Sequence, residues 1–162
     1  CRARQLSMWT MLDVIAPTVI LAQGIGRWGN FMNQEAFGVV TTRAALLAQH
    51  IPHWIVNQMD IGGQYRVPTF LYESLWDLLG FVLLISLRHR HHLFRRGEVF
   101  LAYVMWYSFG RFFIEGMRTD SLMIGSVIRV SQLLSLVFFI GALVILLVRR
   151  HRGNVPWYLQ SE

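Results

Sequence analysis

Four segments of the chain, residues 8–26, 70–87, 99–115 and 130–148, are apolar over close to the ~20 residues that a helix needs to cross a bilayer. The last is uncharged throughout and ends at Arg149, Arg150 and Arg152. The second carries Glu73 and Asp77 near its start, the third is apolar until Arg111, and the first holds Asp13 and Pro17. A charge inside a span is expensive, so these residues are expected to face protein or a polar cavity rather than lipid. The connection over residues 33–68 is too long for a simple turn, and its piece 44–54 is apolar enough to lie at an interface. The pattern predicts an all-α integral membrane fold: a single membrane domain over residues 1–162, with about four transmembrane helices and a small extracytoplasmic cap at residues 33–68.

Arginine placement sets the orientation. Arg88, Arg90, Arg95 and Arg96, interleaved with His89, His91 and His92, join the second and third spans, and a second basic cluster follows the fourth. Both are expected to be cytoplasmic, and attraction to lipid headgroups accounts for His89, His91 and His92 in the first. With four spans the N-terminus of the chain lies inside too, in agreement with Arg2 and Arg4. Residues 24–33, the cap, the start of the second span and the end of the third then gather on the outer side.

Composition supports this picture. The chain of 162 residues is 54% hydrophobic and 15% charged, against roughly 25% charged in a typical soluble domain. Its 15 basic residues, all arginine, outnumber 9 acidic ones, a net charge of +6. An oily chain with basic ends suits a membrane protein rather than a nucleic-acid binder. The single cysteine, Cys1, excludes an intramolecular disulfide and a cysteine zinc site. Its leading position is that of a lipidated cysteine, but the flanking Arg2 and Arg4 read better as the cytoplasmic edge of a helix.

Gly24, Gly26 and Gly29 formally match a dinucleotide-binding fingerprint, which requires a preceding strand and a following acidic residue that this context lacks. The glycines are expected instead to end or break the first span, baring backbone N–H groups beside Arg27 where an anion could sit; a plain helix terminus is the alternative. In the third span, spacings of four and three put Arg111, Glu115 and Arg118 on one helical face. With Arg27, Asn30 and Glu35 at the same expected depth, arginines and two glutamates converge near the headgroup level. Guanidinium is suited to bidentate phosphate contact, and carboxylates hold such arginines in place. Glu73 and Asp77 are spaced as a carboxylate pair, for which capping or pairing with a neighbouring span's arginine is the simpler account. His50 and His53 have a metal-ligand spacing, but Pro52 interrupts any helix and no third ligand is apparent, so no metal is expected.

The run Gly26-Arg27-Trp28-Gly29-Asn30-Phe31-Met32-Asn33-Gln34-Glu35-Ala36-Phe37-Gly38 closely resembles the signature of the bacterial prolipoprotein diacylglyceryl transferases. Pro68-Thr69-Phe70-Leu71-Tyr72-Glu73 resembles the family's second block, with Val67 where a histidine is usual, and residues 110–118 resemble its third. The resemblance implies a seven-span protein of the bacterial cytoplasmic (inner) membrane, of which this chain would be the C-terminal portion, truncated at the N-terminus. It implies transfer of the diacylglyceryl group of phosphatidylglycerol to the lipobox cysteine thiol of a preprolipoprotein, with release of glycerol phosphate and no cofactor. Its partners would be phosphatidylglycerol, the preprolipoprotein signal peptide and the bilayer, with no nucleic acid. By motif, the important residues fall on Arg27, Asn30, Glu35, Gly38, Arg111 and Glu115, with Tyr72 and Arg118 completing the substrate-binding set.

A thiolate that attacks a glycerol carbon must expel a phosphate monoester, whose growing charge Arg27 and Arg111 are expected to stabilise. Glu35 and Glu115 would orient the arginines, one of them accepting the thiol proton. Asn30 would hold a glycerol hydroxyl or ester oxygen, and Gly38 would permit a backbone turn. A transporter would want polar residues at the midplane between broken helices rather than at the outer edge. The competing scaffold reading requires that loss of Arg27 leave lipoprotein maturation intact.

Overall fold

The computed structural model describes residues 7–90, 93–119, 123–124, 128–153 and 155–158. Cys1, Arg2, Arg4, His91 and His92 lie outside them. In chain order the elements are α1 (Met8–Met32), α2 (Arg43–Ala48), α3 (His53–Gln58), the hairpin β1 (Asp60–Ile61) and β2 (Gln64–Tyr65), α4 (Thr69–Arg88), α5 (Glu98–Met117), the hairpin β3 (Met123–Ile124) and β4 (Ile128–Arg129), and α6 (Val130–Arg152). Among the described residues the architecture is helical apart from two short hairpins. Three helices, α1, α4 and α6, are long and apolar enough to cross a membrane. The fourth long helix, α5, matches α4 in length but carries Glu98, Arg111 and Glu115.

Packing of the long helices alternates in direction. Asp13 near the start of α1 meets Gly97 and Phe100 at the start of α5, while Arg27 near the end of α1 reaches Tyr107 in the second half of α5. Helices α1 and α5 therefore run parallel, with α4 antiparallel to both. Helix α6 returns antiparallel to α5, from Gln132 beside Phe112 to Arg150 beside Glu98. It leaves Leu133, Leu136, Val137, Ile140, Val144 and Leu147 exposed, the apolar surface that a lipid-facing helix presents.

The glycines of α1 do not end it, which corrects the sequence expectation: the helix runs through Gly24, Gly26 and Gly29 to Met32, so no bare backbone N–H groups face an anion there. Gly24 is small for contact instead. A Cβ there would stand 3.2 Å from the Asp77 Cβ of α4, so the glycine lets the two helices approach.

The reversal comes after α1, where Gln34 (φ 54°) and Ala36 (φ 55°) adopt left-handed backbone. Residues 38–41 then form an extended strap. Gly38 N–H donates to the Val67 carbonyl (2.9 Å), Thr41 N–H to Tyr65 (2.8 Å), and Val39 N–H to Met117 at the end of α5 (3.2 Å). Leu46, Ile51, Ile55, Val56 and Met59 of the 33–68 segment pack with Phe31 and Phe70 into one apolar cluster. This core ties the segment to the end of α1 and the start of α4. Its hairpin turns on Gly62 and Gly63, both at positive φ, as the tightest hairpin turns require.

The opposite end of the bundle is tied by charge. Asp13 is buried and accepts hydrogen bonds from the backbone N–H groups of Gly97 (2.5 Å) and Phe100 (2.9 Å), capping α5 from another helix. Glu98 is buried as well. It takes a two-pronged contact from Arg150 (2.8 and 2.7 Å) and the N–H of Arg95 (3.0 Å). Arg149 lies over the Trp9 ring, 4.2 Å from its centroid. Arg149 and Arg150, of the basic cluster after the fourth apolar segment, thus fasten α6 to α1 and α5.

Candidate active site

At the other end, α1, α4 and α5 bring charged side chains together where the sequence placed its stripe. Arg27 Nε stands 2.5 Å from Glu73 Oε2, and Arg111 Nη1 stands 3.6 Å from Glu73 Oε1. Arg111 Nη2 also pairs with Glu115 Oε2 at 3.0 Å, and Arg118 Nη1 lies 4.0 Å from the same oxygen. The result is a continuous chain, Arg27–Glu73–Arg111–Glu115–Arg118, across three helices. Glu73 and Glu115 are buried while the arginines keep partial access. Buried carboxylates with mostly covered arginines hold the guanidinium groups in place and leave a small exposed edge for an anion.

A small cavity of about 10 Å³, room for about one water, lies beside the chain and is lined by Arg27, Glu73, Asp77, Tyr107 and Arg111 among others. Asp77 is 3% exposed, and its Oδ2 has no hydrogen-bond partner. Arg27 also donates to the Tyr107 hydroxyl (3.4 Å). A second cleft, about 380 Å³ and apolar, adjoins the first and is lined by Tyr72, Trp76, Phe109, Gly110, Phe113 and Ile114.

The structure joins Arg27, Arg111, Glu115 and Arg118 as expected, but the second glutamate of the convergence is Glu73, not Glu35. Glu35 is exposed in the turn after α1 and makes no ion pair among the described residues, because the left-handed residues on either side swing it off the helical face of Arg27. Pairing of Glu73 with a neighbouring helix's arginine matches the reading given to it from sequence. Asn30 lies one turn beyond Arg27 on α1, and its carbonyl accepts the Glu35 N–H (2.9 Å). The Tyr72 hydroxyl donates to Gln49 Oε1 (2.6 Å).

Gly38 serves close packing rather than a turn. Its φ is not positive, and a Cβ there would come within 2.8 Å of the Val67 Cβ and 3.1 Å of Thr69 Cγ2. The sequence reading did not single out Tyr107. It stands four residues before Arg111, so the spacing that revealed the stripe also contained it.

His50 is exposed, and no three His, Cys, Asp or Glu side chains among the described residues gather as a metal site. With this geometry in view, the comparison with known families is direct: residues 1–148 match the model of the family described as prolipoprotein diacylglyceryl transferase. The chain belongs to that family. It is 76% identical over 158 residues to a phosphatidylglycerol–prolipoprotein diacylglyceryl transferase of Limosilactobacillus reuteri, covering 98% of this chain and 57% of the relative. The protein of the same name from Pediococcus pentosaceus is 64% identical over 164 residues, covering 100% and 59%. That from Listeria monocytogenes is 56% identical over 161 residues, covering 99% and 57%. The chain therefore spans less than two thirds of the length of these diacylglyceryl transferases. Family membership and the several apolar helices make it part of a multi-pass membrane protein.

Proposed function

We propose that the protein to which this chain belongs transfers the diacylglyceryl group of phosphatidylglycerol to the lipobox cysteine thiol of a preprolipoprotein and releases glycerol phosphate. The observation that carries this reading is the pairing of Arg27 and Arg111 through one buried carboxylate, Glu73, beside a cavity and an apolar cleft. Two guanidinium groups that already share an anion are suited to contact with a phosphodiester, and a phospholipid's chains need an apolar path next to it. The names of the relatives supply the substrates; the geometry supplies a reason for them.

In this reading the thiol sulfur forms a bond to the terminal glycerol carbon while the bond from that carbon to the phosphate oxygen breaks, and its electron pair leaves with glycerol phosphate. Arg27 and Arg111 take up the charge that grows on the phosphate, an effect strengthened where water is scarce. Glu73 and Glu115 hold the arginines, with Arg118 completing the row. Glu35 makes no ion pair among the described residues, which leaves it to accept the thiol proton. Asn30 and Tyr72 flank the site as substrate contacts, and Gly38 keeps the strap close to α4. All four long helices span the bacterial cytoplasmic membrane. Residues 33–68 form an extracytoplasmic cap, both ends of the chain face the cytoplasm, and the arginine row lies at the outer leaflet.

The test is to incubate the native-length protein with phosphatidylglycerol and a lipobox peptide and follow the peptide's mass. A diacylglyceryl gain in wild type that disappears in Arg27→Ala is expected. Equal gain in both would overturn the arginine-clamp reading, and no gain in a folded wild type would overturn the transfer itself.

A further inference from the structure

Two tryptophans and two glycines clasp α4 to α5 in a reciprocal way. Trp76 and Trp106 stack with centroids 4.2 Å apart and planes 11° from parallel. Each donates its indole N–H to the other's backbone carbonyl, both at 3.0 Å. Those carbonyls belong to the helical ladder, where the amide four residues on is Gly80 in α4 and Gly110 in α5. A Cβ on either glycine would come closer than 3.0 Å to the partner's indole nitrogen, nearer than real Cβ atoms stand. The same tryptophan-to-glycine spacing of four therefore occurs on both helices, and each glycine opens the door for the opposite ring.

The two halves of this clasp have different neighbours. Trp106 and Gly80 lie toward the apolar core with Ile20. Trp76 and Gly110 line the arginine cavity, and Gly110 immediately precedes Arg111 while Trp76 follows Glu73 by one turn. An indole N–H fixed to a carbonyl allows little sliding, because it would leave buried polar atoms unpaired. The Trp76 half therefore sets the register in which Glu73 of α4 meets Arg111 of α5.

We infer that Trp76 is a positioning residue for Arg111, acting through the clasp with Gly110, and that Trp106 is its structural counterpart without that effect. The inference rests on the transferase reading above. It makes the near-symmetry of the clasp an internal control: the two rings lose the same kind of hydrogen bond when changed, but only one loss disturbs the anion site.

The experiment compares Trp76→Phe with Trp106→Phe in the native-length protein, measuring melting temperature, kcat and KM for phosphatidylglycerol, and binding of short-chain phosphatidylglycerol by calorimetry. Loss of one indole hydrogen bond lowers the melting temperature of both by a similar ~2–4 °C. The expected distinction is a kcat on the order of tenfold lower or more for Trp76→Phe, with Trp106→Phe close to wild type. Equal losses in both variants would overturn the inference and make the clasp structural alone. If Trp76→Phe fails to fold, Trp76→benzothienylalanine and Trp106→benzothienylalanine keep the ring while removing only the N–H, and the same comparison applies. A folded wild type that turns nothing over sinks the transferase reading. The clasp is then judged on binding: weaker binding by Trp76→Phe alone supports it, and equal binding by the two variants, or no binding by wild type, overturns it.

Discussion

The two ends of the helical bundle both hold buried carboxylates facing arginines, yet they are built differently. At the end formed by the starts of α1 and α5 and the finish of α6, each carboxylate has dedicated partners: Asp13 has two backbone N–H groups, and Glu98 has both prongs of Arg150 and one amide. At the other end Glu73 is divided between Arg27 and Arg111, Asp77 Oδ2 and Arg111 Nη1 lie buried without a hydrogen bond, and a cavity opens beside them. A carboxylate saturated by its own partners fastens helices, whereas an undersaturated one has capacity left for a ligand. The difference separates a joint from a site in a chain where both would otherwise read as charges buried in apolar helices.

The largest effect that would break this contrast is at the undersaturated end. Arg111→Lys keeps the charge but loses the planar fork that meets Glu73 and Glu115 together. Turnover of a lipobox peptide should fall on the order of a hundredfold, with the melting temperature almost unchanged. At the saturated end the response should invert. Asp13→Ala strands two buried amides and should reduce stability by about 2–3 kcal/mol, seen as earlier thermal unfolding in detergent, while turnover per folded molecule holds. A proportionate loss of turnover would show that the two ends are not separable.

Gly38→Ala sharpens the comparison from the side of the strap. Its Cβ would press on Val67 and Thr69, and overpacking of this kind costs about 1–3 kcal/mol. Because the strap joins the end of α5, KM for phosphatidylglycerol should rise as stability falls, which kinetics on purified protein would show. The smallest effect expected is Glu98→Gln. Arg150 is 47% exposed and can return to solvent, and glutamine keeps an acceptor for the Arg95 amide, so the loss should be about 1 kcal/mol, that of one net hydrogen bond, read as a small shift in thermal unfolding with activity kept.

Much of this organisation was legible in the residues themselves. The four apolar segments become the four long helices, and the Arg111, Glu115 and Arg118 stripe survives because helical spacing decides it locally. What was misread depends on tertiary approach. Three glycines looked like a helix end, but Gly24 lies within an unbroken helix and serves contact with α4. Glu35 looked level with Arg27 by count, but Gln34 and Ala36 turn the chain away from the helix axis. The Trp76–Trp106 clasp depends on the register between two helices, which no single-helix periodicity carries.

The Gly38–Thr41 strap has a consequence in time. Its neighbours on one side, Tyr65 and Val67, follow soon after it in the chain, whereas its neighbour on the other side, Met117, is made much later. A ribosome releases the chain from its N-terminus at ~5–20 residues per second, so Arg27 and the strap wait for seconds before α5 delivers Arg111 and closes the wall beside them. Assembly thus makes the pairing of the two guanidinium groups a late event of biogenesis, after α1 and α4 have already been made.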